Sequence, residues 1–83
     1  MKHGYVIIAR DYKAEICEFD TLTIIVMPDK TRLYFIHTKY GDEYFQESEL
    51  SATRESLVEE CEALNKALRR GHNGNESVFA KRK

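Results

Sequence analysis

The stretch Thr31-Arg32-Leu33-Tyr34-Phe35-Ile36-His37-Thr38-Lys39-Tyr40-Gly41-Asp42-Glu43-Tyr44-Phe45-Gln46 decides the fold class. Residues 31–38 are rich in β-branched and aromatic side chains, which favours a pleated strand. Tyr40-Gly41-Asp42 is a turn, with glycine supplying the positive φ a hairpin needs. Residues 43–46 read as the returning strand. Successive side chains of a strand point to opposite faces. Arg32, Tyr34, Ile36 and Thr38 therefore share one face, and Leu33, Phe35 and His37 share the other. We place Leu33 and Phe35 in the core, which leaves Arg32, Tyr34 and Ile36 as an exposed aromatic, basic and aliphatic row.

Upstream lie two further strand signals. Tyr5-Val6-Ile7-Ile8-Ala9 is apolar and β-branched and stops at Arg10-Asp11. Lys13 to Phe19 continues through Thr21 to Val26, and Asp20 marks a bulge or bend where a long strand turns a corner. Met27-Pro28-Asp29-Lys30 is a turn, since proline fixes φ and aspartate suits the position after it.

Downstream the period changes. Leu57, Cys61, Leu64 and Leu68 fall at steps of four, three and four, one stripe of a helix, and Val58 and Ala67 widen it. Thr53 is the expected N-cap, Glu55 suits the first turn, Arg69 and Arg70 suit the last, and Gly71 is the expected residue just past the end. The helix is expected over 54–70. Residues 1–70 then form one domain, and 71–83 a flexible basic tail. The fold class is α+β: a small antiparallel β-barrel or curled β-sheet of four to five strands, followed by one C-terminal α-helix. The expected core is Val6, Ile8, Phe19, Leu22, Ile24, Leu33, Phe35, Phe45, Leu50, Leu57, Cys61, Leu64 and Leu68.

The segment Glu47-Ser48-Glu49-Leu50-Ser51-Ala52-Thr53-Arg54-Glu55-Ser56, with Tyr5-Val6-Ile7 and Cys17-Glu18-Phe19-x-x-Leu22 before it, resembles small bacterial and phage proteins built as Src-homology-3-like β-barrels. The resemblance spans roughly residues 4–68. It implies a barrel strand running into a helix, and no catalytic residues to carry over. Ser51 stands where that group has a bulky aromatic, which weakens the barrel–helix contact. Ser56 stands where it has an acid, which removes the reciprocal capping box. The phage-like context implies an accessory protein that occupies a host protein's surface, as a defence inhibitor does.

Composition bounds the function. The chain has 83 residues, 33% of them charged, and a net charge of −1. That is room for one domain with a thin core and no deep cleft between lobes. There is no apolar run of about 18 residues, so no membrane span is expected. Met1-Lys2-His3-Gly4 enters the strand pattern without a small-residue cleavage site, so a cytoplasmic protein is expected. Charge is segmented: residues 1–40 carry +1, 41–64 carry −7 and 65–83 carry +5. A nucleic-acid-binding domain usually has an overall basic excess, which this chain lacks.

Chemistry-bearing patterns are sparse. Phosphate-cradling glycine loops, nucleophile elbows and zinc-helix motifs do not occur. Cys17 and Cys61 read as small apolar core residues. His37, on a strand with no nucleophile beside it in the sequence, reads as a structural residue. Met1-Lys2-His3 matches the amine, amide and imidazole set that takes Cu(II) or Ni(II), but three residues at a chain start match that pattern by coincidence. The expectation is a non-enzymatic protein-binding module without cofactor or metal. Its partner-binding residues are Arg32, Tyr34, Ile36 and Tyr40, with Glu43, Glu47 and Glu59 for electrostatic steering. A homodimer is left open. The alternatives are a nucleic-acid-binding barrel using Tyr34, Tyr40, Lys30, Arg32, Lys39 and the basic tail, and a nucleotide-sequestering protein.

Overall fold

The computed structural model describes residues 1–74. Five strands and one helix occur in order: β1 (His3–Arg10), β2 (Lys13–Val26), β3 (Arg32–Thr38), β4 (Gly41–Gln46), a 3₁₀ turn (Glu47–Glu49), β5 (Leu50–Ser51) and α1 (Glu55–Gly74). All pairings are antiparallel and the strand order is β4-β3-β2-β1-β5. The architecture is thus α+β, an open five-stranded sheet with a C-terminal helix rather than a closed barrel. Among the described residues no helix is long and apolar enough to cross a membrane.

The long strand β2 organises the sheet. Its first half, Lys13–Asp20, pairs with β1, and its second half, from Asp20 to Val26, pairs with β3. Asp20 faces both, opposite His3 on one side and His37 on the other. The register shifts between Thr21 and Thr23, so the expected irregularity falls at Leu22, beside Asp20. An extra residue there bends the strand and re-aims the side chains beyond it.

The turns obey local chemistry. Asp11 and Tyr12 close the β1–β2 hairpin, both with left-handed φ, the geometry that matches strand twist in a two-residue loop. At the β2–β3 turn Lys30 also has left-handed φ, and its N–H donates to the Met27 carbonyl at 2.8 Å. The Asp29 carboxylate accepts from both the N–H and the hydroxyl of Thr31, at 3.0 and 2.6 Å. These bonds to the ionised form hold its carboxyl below the usual range, the Thr31 hydroxyl contributing most.

The core lies on the inner face of the sheet and comprises Val6, Ile8, Cys17, Phe19, Tyr34, Ile36 and Leu50, with Phe45 packed against it. Leu57 and Cys61 bury the helix stripe, and α1 packs chiefly on β2 and β1. Six of the expected core residues are buried: Val6, Ile8, Phe19, Leu50, Leu57 and Cys61. Phe45, Leu64 and Leu68 are half-buried.

The register of β3 is the reverse of the expected one. Tyr34 and Ile36 are 1% and 0% exposed, among the most deeply buried side chains, whereas Leu33 and Phe35 are half-buried on the opposite face. The reason lies at the two ends of that row. The Tyr34 ring is buried while its hydroxyl reaches outward and donates to Glu47 at 3.0 Å, so an aromatic with a polar tip fits the core rim. Thr38, also buried, donates its hydroxyl to the Gly41 carbonyl and accepts from the Tyr40 N–H, which pins the turn from the same face. Leu22 and Ile24 are exposed as well, because β1 ends at His3 and α1 covers the first half of β2 rather than the second.

Gly4 is required by close approach. A Cβ there would stand 2.4 Å from the Ser51 carbonyl, because β5 pairs tightly with β1 at Tyr5 and Val6. The helix starts at Glu55, one residue later than a Thr53 cap implies, and it runs through Gly71 to Gly74. Thr53 instead gives its carbonyl to the Ser56 hydroxyl at 3.0 Å. Of the expected tail, 71–83, residues 71–74 belong to α1, and residues 75–83 lie outside the described residues.

Candidate functional site

Directly opposed residues of antiparallel strands share a face. With Tyr34 and Ile36 inward, the outer face of the sheet carries Leu33, Phe35 and His37 from β3. It also carries their partners Ile25, Thr23 and Asp20 from β2, and Gln46, Tyr44 and Asp42 from β4. Its centre is apolar. The Phe35 and Tyr44 rings lie 4.6 Å apart at a tilt of 38°, and Tyr44 is 50% exposed. Ile25 and Leu33 extend the patch toward the β2–β3 turn.

The other half of this face is charged. His37 Nδ1 lies 2.6 Å from Asp42 Oδ1, and Asp20 sits across from His37 on β2. Where β2 changes partner from β3 to β1, a groove of about 510 Å³ opens, lined by His3, Tyr5, Glu18, Asp20, His37 and Lys39 among others. Apolar patch and groove therefore adjoin at His37, and Glu18, Asp20 and Asp42 give their border an acidic character.

A second cluster braces the fold beside the groove. Glu15 accepts a hydrogen bond from the Tyr40 hydroxyl at 2.5 Å and forms an ion pair with Lys39. The Arg10 guanidinium stands 4.9 Å from the Tyr40 ring centre, and the Lys39 ammonium 5.3 Å. Hydrogen bonds from Lys39 first, then Tyr40, hold the Glu15 carboxyl below the usual range, and the same contacts raise Lys39 and Tyr40. Across from it, Asn65 on α1 reaches Ala14. Asn65 Oδ1 accepts from the Ala14 N–H at 2.6 Å, and its Nδ2 donates to the Ala14 carbonyl at 2.9 Å. One amide side chain thus makes both bonds that a neighbouring strand would make to one residue.

The expected site residues fall into separate places. Tyr34 and Ile36 are core residues and cannot form an exposed row. Arg32 remains exposed, 4.0 Å from Glu47, beside the Tyr34 hydroxyl. Tyr40 lies at the far end of β3, tied to Glu15. Glu43 is exposed opposite Ile36 on β4, and Glu59 is exposed on α1. The proposed nucleic-acid set does not assemble, since Tyr34 is buried, and Lys30 and Arg32 stand at the opposite end of β3 from Lys39 and Tyr40. Sequence reasoning missed Phe35, Tyr44, Ile25 and Asp20 as surface residues. The signal was present in the alternative register of the same strand.

Cys17 and Cys61 are free and buried, and burial raises both thiols above their ordinary value, which keeps them protonated and unreactive. Among the described residues no group of three or more His, Cys, Asp or Glu side chains is placed to hold a metal ion. Comparison with known proteins finds no family model, no curated protein and no solved structure that the chain matches.

Proposed function

We propose that the chain is a non-enzymatic protein-binding module, and that its docking surface is the outer face of β2, β3 and β4. The carrying observation is the apolar patch of Ile25, Leu33, Phe35 and Tyr44 set against an acid-bordered groove. Apolar centres with a polar rim are the anatomy of protein interfaces, and tyrosine is a frequent anchor in them. The partner this chemistry fits is a protein segment with apolar side chains next to a lysine or arginine. The apolar groups cover Phe35 and Tyr44, and the cation enters the groove between Glu18 and Asp20. In the accessory-protein context that residues 47–56 suggest, the chain acts by covering that segment on a host protein.

The test uses isotope-labelled protein titrated with short peptides that alternate lysine or arginine with leucine and valine. Backbone resonances of Thr23, Ile25, Phe35, His37 and Tyr44 should shift, and less so as salt is raised. Tyr44→Lys should abolish the shifts, while Glu59→Gln on the helix should leave them. Shifts confined to α1, no response to any cationic peptide, or a salt-sensitive gel shift with nucleic acid in its place would each overturn the proposal.

A further inference from the structure

The free edge of β2 is a different feature from the outer face. Pairing with β1 ends where His3 meets Asp20, and the Thr21 N–H and hydroxyl donate to Lys2 and Met1 carbonyls, each at 2.7 Å. Beyond Thr21, β2 is paired with β3 on one side only. Its other edge over Thr23–Val26 presents backbone donors and acceptors without a strand beside them among the described residues. Natural proteins guard such edges with lysine, proline or inward charges. Here no charged residue occurs between Asp20 and Asp29. Apart from Thr23, the side chains along it are apolar and exposed on both faces of the sheet: Leu22 at 53%, Val26 at 64%, with Ile24, Ile25 and Met27 between 38% and 40%.

We infer that this edge is occupied by the same edge of a second copy of the chain, joined antiparallel about a two-fold axis near Ile24 and Ile25. Two-fold symmetry at such an edge makes a strand meet itself antiparallel, with the same patch contributed from each side. An uncharged strand meets no like charge when paired with itself. The flanking charges are complementary. Antiparallel pairing lays the Asp20 end of each strand beside the Asp29–Lys30 turn of the other. The Asp29 carboxylate is turned back onto Thr31, so Lys30 is the charge that Asp20 of the other copy meets. The exposed apolar strip is on the order of several hundred Å² on each copy, less than a standard interface buries, and the backbone hydrogen bonds of a shared sheet add to it. The two sheets become one, and the two outer faces lie side by side across the axis.

This goes beyond the docking face proposed above, and the two fail separately. The full chain is studied by sedimentation equilibrium from low micromolar to millimolar concentration, with hydrogen exchange read by mass spectrometry. The expected result is a species of twice the 9.7 kDa chain mass, with amides of Thr23–Val26 protected in the dimer. Val26→Lys, at a position exposed enough to tolerate it, should raise the dimer dissociation constant at least tenfold and unprotect the amides of that segment that point away from β3, with the thermal midpoint of the diluted monomer unchanged. Leu22→Lys should act in the same direction. Tyr44→Lys should leave the dimer intact. A chain that stays monomeric to millimolar concentration overturns the inference. So does a dimer that both lysine variants preserve with residues 23–26 unprotected.

Discussion

Asn65 offers the sharpest test of how the helix is fixed to the sheet. Asn65→Ala removes both hydrogen bonds to Ala14 and leaves a part-buried N–H and C=O without a protein partner. An unmet buried polar group costs about 1–3 kcal/mol. Asn65 itself is half-buried, so water recovers part of this, and the expected loss for the pair is about 2 kcal/mol. In a domain of this size that lowers the thermal midpoint by about 8–16 °C. Asn65→Asp separates the two bonds. At neutral pH its carboxylate can accept from the Ala14 N–H, yet it faces the Ala14 carbonyl with a second negative oxygen. Protonation restores a donor and reproduces the amide pattern. The folded-state pKa of that introduced acid is therefore raised. Its stabilising form is fully present below the unfolded pKa of about 3.9 and is lost as pH rises through the folded value. Relative to wild type at each pH, Asn65→Asp should be weakest at neutral pH and recover in acid, while Asn65→Ala should show a constant deficit. Urea denaturation of the three proteins across pH measures this. A loss under about 0.5 kcal/mol for Asn65→Ala, or an Asp variant that tracks the Ala variant at every pH, would refute the strand-substitute role.

The packing and the charges set three other outcomes. Gly4→Ala should cost about 1–3 kcal/mol in urea denaturation, because its Cβ would collide with a backbone carbonyl that can withdraw only by breaking the β1–β5 pairing. Ile36→Ala should cost about 2–5 kcal/mol and exceed the loss from Leu33→Ala, which reports the register of β3 directly; equal losses would contradict it. Glu15, held low by Lys39 and Tyr40, contributes stability that is present above its unfolded pKa and lost as pH falls through its folded value. Glu15→Gln should flatten that acid limb of the stability profile, and carbon-detected NMR titration of the Glu15 carboxyl should show its midpoint below the ordinary glutamate range.

Strand and helix identities were legible because each rested on a local signal. The Met27–Lys30 turn is set by Pro28 and by Asp29 folding onto Thr31, and the helix by the spacing of Leu57 and Cys61. The register of β3 was not legible, since Arg32–His37 is apolar on both faces and a period of two fits either choice. Two side-chain hydrogen bonds settle it: Glu47 beyond β4 accepts from the Tyr34 hydroxyl, and Thr38 holds the Gly41 turn from the buried face. The exposure of Leu22 and Ile24 was hidden for a related reason. β-branched residues mark a strand whether or not anything covers it, and the cover depends on where β1 stops. Asn65 sat inside a helical stripe as an ordinary polar residue, and only the placement of Ala14 gives its amide a purpose.

The sharing of one strand between two hairpins also has a kinetic side. β1 with β2, β2 with β3, and β3 with β4 are each joined by tight turns, so their contacts are short in sequence and close early at small entropic cost. The seam that unites the chain's ends is different. Asn65 meets Ala14 across 51 positions, and Leu50 meets Val6 from nearly as far. Such contacts form after the hairpins exist, so weakening them should speed unfolding while leaving the refolding rate almost untouched. The lifetime of the folded molecule is then governed by a small latch near its first strand, although most of its buried surface lies elsewhere.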